Sequence, residues 1–223
     1  MNAGAKPRVA LLGAGDLALT LAAHLSSHPD LRCVGFFDDT KVGQVVAGLP
    51  VLGGLATAKS GFDEGAFDLA LMAIGYKHLR FRAKVFHELR AQGVPFARLI
   101  HPSCTVAASA VVEEGAVLFP GCIVDEGARI GANSVLNAGC IVAHDTTVGP
   151  HAFLGPGVTL AGFVRIEAFC FVGIGTVVID NITLGEGSQT GGGAVVIDHV
   201  EPALLVVGVP ARPHVRGASL KSS

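Results

Sequence analysis

Residues 105–200 read, in groups of six, TVAASA VVEEGA VLFPGC IVDEGA RIGANS VLNAGC IVAHDT TVGPHA FLGPGV TLAGFV RIEAFC FVGIGT VVIDNI TLGEGS QTGGGA VVIDHV. These sixteen hexapeptides follow one another without an insertion. The second position is Leu, Ile or Val in every hexapeptide except the one that contains Thr190, the fifth is most often Gly, and the sixth is mostly small. A strict period of six, in place of the helical period of 3.6, therefore organises this part of the chain.

Each position of the repeat has a physical reason. One inward aliphatic side chain per hexapeptide suits a short flat strand on one side of a prism, and a sharp corner favours Gly, then Asn or Asp, because these residues tolerate a positive φ. Stacked coils then pair as parallel strands and bury a continuous core. Cys104, Cys122 and Cys140 recur every 18 residues, which supports an 18-residue coil. We interpret them as a column of small core residues rather than a metal or redox ladder. The pattern predicts a parallel β-helix.

The composition of the chain excludes several classes of protein. Its 223 residues include 30 Gly and no Trp, and only 15% are charged, against about 25% in typical proteins. A net charge of −2 gives no sign of a nucleic-acid partner, and no apolar run of about 18 residues predicts a membrane span. The first seven residues lack the pattern of a signal peptide, and the five Cys follow no C-x-x-C spacing. We therefore expect a cytoplasmic protein with reduced thiols.

Residues 8–100 show no hexapeptide phase and alternate strands with helices. The predicted strands are Arg8–Leu12, Arg32–Phe37, Asp68–Ile74 and Phe96–Ile100, and the predicted helices begin after Gly15 and cover about residues 77–92. This alternation indicates a small Rossmann-like α/β domain. We place it at residues 1–100 and the β-helix domain at residues 101–223, with the hinge at His101-Pro102.

A glycine-rich turn follows the first predicted strand. In the stretch Gly13-Ala14-Gly15-Asp16-Leu17-Ala18, the glycines allow backbone amides to approach a phosphate at a helix N-terminus. Asp38 ends the second predicted strand 20 residues after Ala18, where a ribose-binding acid is expected. The alternative is a tight turn without a ligand. A domain of under 100 residues supplies only about half of a dinucleotide-binding fold, which argues against a dehydrogenase.

The pair His144-Asp145 departs from the corner pattern of the repeat. An imidazole and a carboxylate occupy the fourth and fifth positions, which are usually small, acidic or Gly. A neutral His is a natural general base near pH 7, and a neighbouring carboxylate holds its tautomer and raises its basicity. An exposed corner His without a role is the alternative. The pair is the main catalytic candidate.

In these features the chain resembles the bacterial sugar O- and N-acyltransferases with a hexapeptide repeat, a group that includes sialic acid O-acetyltransferases and the N-acetyltransferases of bacillosamine and perosamine nucleotides. The resemblance covers nearly the whole chain. Its marks are Gly13-Ala14-Gly15, Phe37-Asp38-Asp39, Ala73-Ile74-Gly75, His101-Pro102-Ser103, His144-Asp145, Gly173-Ile174-Gly175 and Gly208-Val209-Pro210-Ala211.

This resemblance implies a Rossmann-like domain followed by a left-handed β-helix with three hexapeptides in each coil. It implies a homotrimer with active sites between subunits, in which His144 is the general base and Asp145 orients it. Transfer is direct, without an acyl-enzyme, from acetyl-CoA and without a metal. The residues expected to bind a nucleotide-linked sugar are Gly13, Gly15, Asp38, Asp39, Gly75, Tyr76 and Lys77.

The resemblance also assigns residues to acyl-CoA: Gly162, Ile174, Gly192, Pro210, Ala211 and Arg212. The amide of Gly162, 18 residues after His144, is expected to donate to the thioester oxygen, and Arg212 to meet a CoA phosphate. Two positions depart from the family. Many relatives have a second His where this chain has Phe153, and Gly-Gly where it has Gly162-Phe163, so both changes add bulk near the expected acyl site.

The predicted function is N-acetylation of a nucleotide-linked 4-amino-4,6-dideoxy sugar for polysaccharide biosynthesis. O-acetylation of a sugar such as sialic acid is the first alternative. A zinc β-helix carbonic anhydrase using His144, His151, His199 and His101 is a more distant one, because zinc requires three well-placed ligands and a water. A non-catalytic trimeric scaffold with a nucleotide-sensing domain is the last.

Overall fold

The structure, a computed structural model, describes residues 6–214, so the outermost parts of the two predicted domains, residues 1–5 and 215–223, lie outside the described residues. The first domain contains a five-stranded sheet with the order β3-β4-β2-β1-β5, in which only β3 and β4 are antiparallel. Its strands are β1 (Arg8–Leu12), β2 (Arg32–Phe37), β3 (Val45–Val46), β4 (Leu49–Gly53) and β5 (Leu69–Met72). Its helices are α1 (Asp16–Ser26), α2 (Ala58–Asp63) and α3 (Leu79–Ala91), with 3-10 turns at Leu55–Thr57 and Tyr76–His78.

The hydrophobic pattern of the first domain explains these elements. Four of the five residues of β1 are fully buried, as expected for a central parallel strand. Helix α1 buries Leu21 and Leu25 on the face that packs against the sheet. The helix predicted over residues 77–92 begins with the 3-10 turn and continues as α3.

The prediction of a single strand over Phe96–Ile100 is wrong. Phe96 makes only an isolated bridge to Ala70, and Leu99–Ile100 is a separate strand, β6, that pairs with the second domain. Within these five residues the chain leaves the sheet of the first domain, because β6 pairs with Val117–Leu118 of the hexapeptide repeat. Strand pairing in the β-helix thus starts before the predicted hinge, and the division at residue 100 stays a prediction.

The second domain is a parallel β-helix in which every hexapeptide contributes one two-residue strand. Three sheets run along it: sheet I with the order β22-β19-β16-β13-β10-β7, sheet II with β20-β17-β14-β11-β8, and sheet III with β24-β23-β21-β18-β15-β12-β9-β6. Within sheet III only the last strand, β24, is antiparallel to its neighbour. The strands are β6 (Leu99–Ile100), β7 (Thr105–Val106), β8 (Val111–Val112), β9 (Val117–Leu118), β10 (Ile123–Val124), β11 (Arg129–Ile130), β12 (Val135–Leu136), β13 (Ile141–Val142), β14 (Thr147–Val148), β15 (Phe153–Leu154), β16 (Thr159–Leu160), β17 (Arg165–Ile166), β18 (Phe171–Val172), β19 (Val177–Val178), β20 (Thr183–Leu184), β21 (Gln189–Thr190), β22 (Val195–Val196), β23 (Leu205–Val207) and β24 (Arg212–Pro213).

Strand register confirms the 18-residue coil. Ile123 pairs with Ile141 and Ile141 with Thr159, each exactly one coil apart in sequence. In the hexapeptide strands the second residue points inward, and apart from Thr190 these side chains form one continuous apolar core. Cys122 and Cys140 are fully buried in this core, and all five Cys of the chain are free thiols.

Positive φ angles recur at the fifth position of the hexapeptides. Gly supplies most of them, and Asn133, Asp145 and Asn181 supply others, as the pattern predicts. His151 (φ 61°), Phe163 (φ 57°) and Phe169 (φ 61°) adopt the same conformation, although it is costly for bulky side chains. Side-chain contacts at these corners, described below, distinguish them from ordinary turns.

The first domain packs on sheet III. The outward side chains of Val117, Val135 and Phe153 are buried in one cluster with residues of β1 and α1. Arg82 of α3 is fully buried and donates hydrogen bonds to the carbonyls of Met72, Ile74 and, in the β-helix, Asn133. Burial lowers the pKa of Arg82 to about 9, so its charge is retained at neutral pH.

Within residues 6–214, none of the helices has the length and apolar character that crossing a bilayer requires.

Candidate functional site

A cleft opens at the carboxyl ends of the strands of the first domain. It has a volume of about 530 Å³, and parallel α/β sheets bind ligands at this edge. Six of the seven residues predicted to hold a nucleotide-linked sugar line it: Gly13, Gly15, Asp38, Gly75, Tyr76 and Lys77. At Gly15 an added Cβ would meet nothing within 4 Å, so the turn presents its backbone to open space at the start of α1.

Asp38 organises the glycine turn. One of its carboxylate oxygens accepts the amide N–H of Ala14 (2.8 Å), and the other accepts the amide and hydroxyl of Thr40 (2.9 and 2.7 Å). Partial burial acts to raise the pKa of Asp38, but the hydrogen bonds from Thr40 and Ala14 outweigh it and leave that pKa below its usual value. The carboxylate is therefore ionised at neutral pH, and Lys41 binds the carbonyl of Ala14 beside it.

The structure does not bring Asp39 to this cleft. Its carboxylate accepts the amide N–H of Leu55 at 2.8 Å and so caps the 3-10 turn Leu55–Thr57. It lines a different, smaller depression together with residues of α3. The geometry gives Asp39 a structural role, in contrast to the predicted contact with the sugar nucleotide.

An aromatic cluster closes the cleft on the side of the β-helix. Tyr76 stacks on Phe171 with a centroid distance of 4.9 Å and lies 5.3 Å from Phe153. Beyond Tyr76 and Lys77, the cleft continues into a second one of about 710 Å³, where Arg80 lies over the ring of Phe169. Phe153 is thus part of the domain interface. In the sequence, this aromatic cluster was signalled only by the column of outward side chains on sheet III to which Phe153 belongs.

His144 lies at the corner between sheet I and sheet II, between β13 and β14. Its Nδ1 is 3.1 Å from the Asp145 carboxylate, and its side chain is 51% exposed, so Nε2 is free to meet a ligand. The positive φ of Asp145 (56°) turns the carboxylate back onto the ring. The ring of Phe163 meets the imidazole edge-on at 5.1 Å. Asp145 can thus hold the tautomer in which Nε2 accepts a proton.

Gly162 lies directly next to the His144 ring, one coil further along. A Cβ on residue 162 would come within 2.7 Å of both Cε1 and Nε2 of His144, so only glycine leaves room for the imidazole. The Gly162 amide already donates to Oδ1 of Asp180 at 2.9 Å. Donation to a thioester oxygen would require this bond to open, and the predicted oxyanion role of Gly162 stays a prediction.

The remaining residues predicted to contact acyl-CoA lie elsewhere on the β-helix. Ile174 occupies the corner between sheets III and I and is 61% exposed. Its side chain lies close to Gly192, where an added Cβ would be 3.0 Å from the Ile174 methyl carbon Cγ2. Ala211 is buried and donates its amide N–H to Val195, and Pro210 beside it is exposed. Arg212 forms an ion pair with Asp198 at 3.1 Å.

These placements separate the predicted site into two parts within one chain. His144 lies at the corner between sheets I and II, and Ile174 lies at the corner between sheets III and I, whereas the cleft of the first domain meets the β-helix at Phe153 of sheet III. The outward side chains on sheet I between them include exposed Ile123, Ile141 and Val177. A single chain therefore does not assemble His144 with the cleft.

Sequence reasoning missed a histidine pair at the domain interface. Nε2 of His87 in α3 is 3.0 Å from Nε2 of His151, whose Nδ1 contacts the side-chain amide of Asn133. Burial, together with nearby His87 and Arg82, lowers the pKa of His151 to about 4. His144, His101 and His199 are not part of this pair, and no group of three metal-ligating side chains occurs among residues 6–214. The zinc alternative therefore has no support from the geometry.

Comparisons with known proteins agree with this architecture. Residues 127–162 match the family described as bacterial transferase hexapeptide (six repeats). A search of curated proteins finds no match.

Solved structures match over nearly the whole chain. PerB from Caulobacter crescentus, in complex with CoA and GDP-perosamine, is 29% identical, with a TM-score of 0.87 over 96% of this chain and 99% of that one. The acetyltransferase domain of PglB from Neisseria gonorrhoeae, in complex with acetyl coenzyme A, is 29% identical, with a TM-score of 0.83 over 94% of this chain and 100% of that one. WeeI from Acinetobacter baumannii, at 24% identity, has a TM-score of 0.78 over 92% and 99% and supports the fold alone.

The fold and these matches define the class of protein: an acyltransferase with a left-handed β-helix preceded by a small α/β domain. Both the predicted fold class and the predicted enzyme class are confirmed. Within that class the chain is similar to sugar acetyltransferases, and the resemblance stated from its sequence is confirmed.

Proposed function

We propose that the protein transfers the acetyl group of acetyl-CoA to the amino group of a nucleotide-linked 4-amino-4,6-dideoxy sugar. The observation that carries this proposal is the His144-Asp145 pair on an exposed corner of the β-helix. The first domain of the same chain has a cleft at the position where parallel α/β sheets bind nucleotides. The structure in which PerB is bound to CoA and GDP-perosamine, an amino sugar nucleotide, supports the same substrate class.

The proposed chemistry is direct transfer by general base catalysis. Nε2 of His144 accepts a proton from the sugar amine as the nitrogen attacks the thioester carbonyl, and Asp145 stabilises the imidazolium that forms. The C–N bond forms, the C–S bond breaks, and the proton passes from His144 to the departing CoA thiolate. No Cys nucleophile is required, which fits the burial of Cys122, Cys140 and Cys170 in the core.

The proposal includes a homotrimer in which each site takes parts from two chains. Within one chain His144 lies at the corner between sheets I and II, whereas the nucleotide cleft lies against sheet III. The exposed apolar side chains on sheet I offer a surface that a second copy would cover. The corner that carries Ile174 on one chain would then face the corner that carries His144 on the next. Acetyl-CoA would lie along this groove, with Gly192, Pro210, Ala211 and Arg212 toward its nucleotide end.

A cytoplasmic location is part of the same proposal. Acetyl-CoA and nucleotide sugars are proposed as the two substrates, and five free thiols fit a reducing compartment.

The proposed reaction is tested by thiol release from acetyl-CoA with a panel of nucleotide-linked sugars. The panel pairs each 4-amino sugar with its 4-hydroxy counterpart on UDP, GDP and dTDP, and adds free sialic acid. We expect thiol release and an N-acetylated product with at least one amino sugar and little release with its hydroxyl partner. Release only with a hydroxyl acceptor would favour the O-acetyltransferase, and no release with any acceptor would overturn the proposal.

A further inference from the structure

Asp180 occupies the same hexapeptide position as His144, two coils further along, with Gly162 between them. Its side chain reaches back by one coil, where Oδ1 accepts the Gly162 amide N–H at 2.9 Å. This bond uses only one of the several acceptor positions of a carboxylate. Among residues 6–214 no basic side chain forms an ion pair with Asp180, so its negative charge is unpaired.

The Asp180 carboxylate and the His144 imidazole both lie against Gly162. The point that a Cβ of residue 162 would occupy is 2.7 Å from His144 Nε2 and 3.4 Å from Asp180 Oδ1. Because residue 162 is Gly, the imidazole packs into the place that a side chain would fill, and the carboxylate lies next to it. A ligand group that binds to Nε2 of His144 at this corner therefore lies beside a negative charge.

These two groups suit an ammonium group better than a hydroxyl. A carboxylate holds the protonated amine through a charge-assisted hydrogen bond. The ammonium releases one proton to solvent before the attack, and the neutral amine gives a second proton to His144 as the C–N bond forms. The exposed apolar side chains of Val177 and Ile179 precede Asp180. A second chain covering them would exclude water and strengthen the interaction.

We propose that Asp180 binds the amino group of the acceptor and presents it to Nε2 of His144, and that this contact makes the enzyme prefer amines to hydroxyls. The inference rests on the proposed acetyl transfer and adds to it the residue that selects the acceptor. In this arrangement the Gly162 amide donates to the Asp180 carboxylate and holds it in position. The same amide does not donate to the thioester oxygen.

The test is the substitution Asp180→Asn, assayed with the amino sugar that the wild-type enzyme acetylates. Asn keeps an oxygen that can accept from the Gly162 amide but removes the charge. We expect KM for the amino sugar to rise about tenfold or more, the loss expected for one charge-assisted hydrogen bond. The affinity for acetyl-CoA, measured by calorimetry, should stay unchanged. Glu126→Gln is the matched control, because Glu126 occupies the same position one coil on the other side of His144, and its KM should stay within about twofold.

Three results would overturn this inference while leaving the acetyl transfer itself intact. The first is an unchanged KM for the amino sugar in Asp180→Asn. The second is an equal rise of KM in the Glu126→Gln control, which would indicate a general effect of surface charge. The third is tighter binding of acetyl-CoA with a higher kcat, which would show that Asp180 competes with the thioester for the Gly162 amide. An inactive wild-type enzyme would instead count against the proposed function.

Discussion

At the scale of single residues, the site depends on which side chains are absent as much as on which are present. His144 fits against the coil because residue 162 has no side chain, and Asp180 lies beside it because its carboxylate accepts the Gly162 amide N–H. A larger residue at position 162 would displace the imidazole from this corner.

The substitution Gly162→Ala tests this dependence. The added Cβ would lie 2.7 Å from the His144 ring and must displace the imidazole. Because a displacement of about 1 Å costs on the order of a hundredfold in rate, we expect kcat for acetyl transfer to fall by about that factor.

The fold should tolerate the same change. The φ of Gly162 is not in the left-handed region, and Ala108 occupies the same position of the repeat in another coil. We therefore expect the Tm of Gly162→Ala to stay close to that of the wild type. Full activity in a folded Gly162→Ala variant would show that the ring does not need this space.

At the scale of elements, the corners of the β-helix combine two functions. The positions with positive φ close the turns, and several also carry side chains that contact the first domain or His144. Phe163 packs against His144, and Phe169 lies under Arg80. Strained aromatic residues at such positions are retained where the surroundings hold them, and here the contacts lie at the proposed site and at the domain interface.

The histidine pair between α3 and the β-helix predicts a pH dependence of stability. The pKa of folded His151 is lowered to about 4 by burial and by His87, Arg82 and Arg80, while an unfolded His titrates near 6.5. Between these values the unfolded chain binds the additional proton, so the free energy of unfolding decreases as the pH falls from about 6.5 to about 4. Above pH 6.5 this contribution to stability is fully present.

The measurement is Tm as a function of pH for the wild type and for His151→Asn. Asn does not titrate, and it occupies the same corner position at Asn133 and Asn181, each with a positive φ. We expect a shallower decrease of Tm from pH 6.5 to 4 in the variant. An equal slope in both proteins would assign the acid sensitivity to other groups.

At the scale of the whole molecule, the separation of His144 from the nucleotide cleft predicts complementation between inactive variants. His144→Asn removes the base, and Gly15→Val places a side chain in the cleft, where nothing else lies within 4 Å of its Cβ. Each variant alone should be nearly inactive. If sites form between neighbouring chains, mixed trimers assembled from equal amounts should recover roughly a quarter of the wild-type sites.

The readout is acetyl transfer after the two variants are co-expressed, with the trimer verified by sedimentation. If each chain formed a complete site by itself, the mixture of the two variants would be inactive. A monomeric wild-type protein would contradict the trimer directly.

The sequence predicts the β-helix well because its repeat is strict. The spacing of Val106, Val124 and Val142 places them in one column of the core, and the corner Gly and Asn residues have the expected φ. The change of partner at Leu99–Ile100 was not predictable, because a two-residue strand has no periodicity of its own.

The candidate site was predictable where a local motif exists and less so where it depends on neighbours in space. Gly13, Gly15 and Asp38 lie together at the cleft, since each ends a strand or begins a helix. Asp39 has the same local signal but caps a turn formed by residues far along the chain. Asp180 looks like any corner acid in the sequence, and only the stacking of coils brings it to Gly162.

The central claim is that His144 is the base of an acetyl transfer, and the most direct measurement is the single-turnover rate of His144→Asn with saturating acetyl-CoA and the amino sugar. The account predicts a rate about 10² to 10⁴ times lower than that of the wild type, with unchanged binding of acetyl-CoA. The control is His24→Asn, a histidine in the last turn of α1 that does not line the cleft, and it should show no loss. A His144→Asn rate within about threefold of the wild type, where removal of a base should cost at least a hundredfold, would contradict the account.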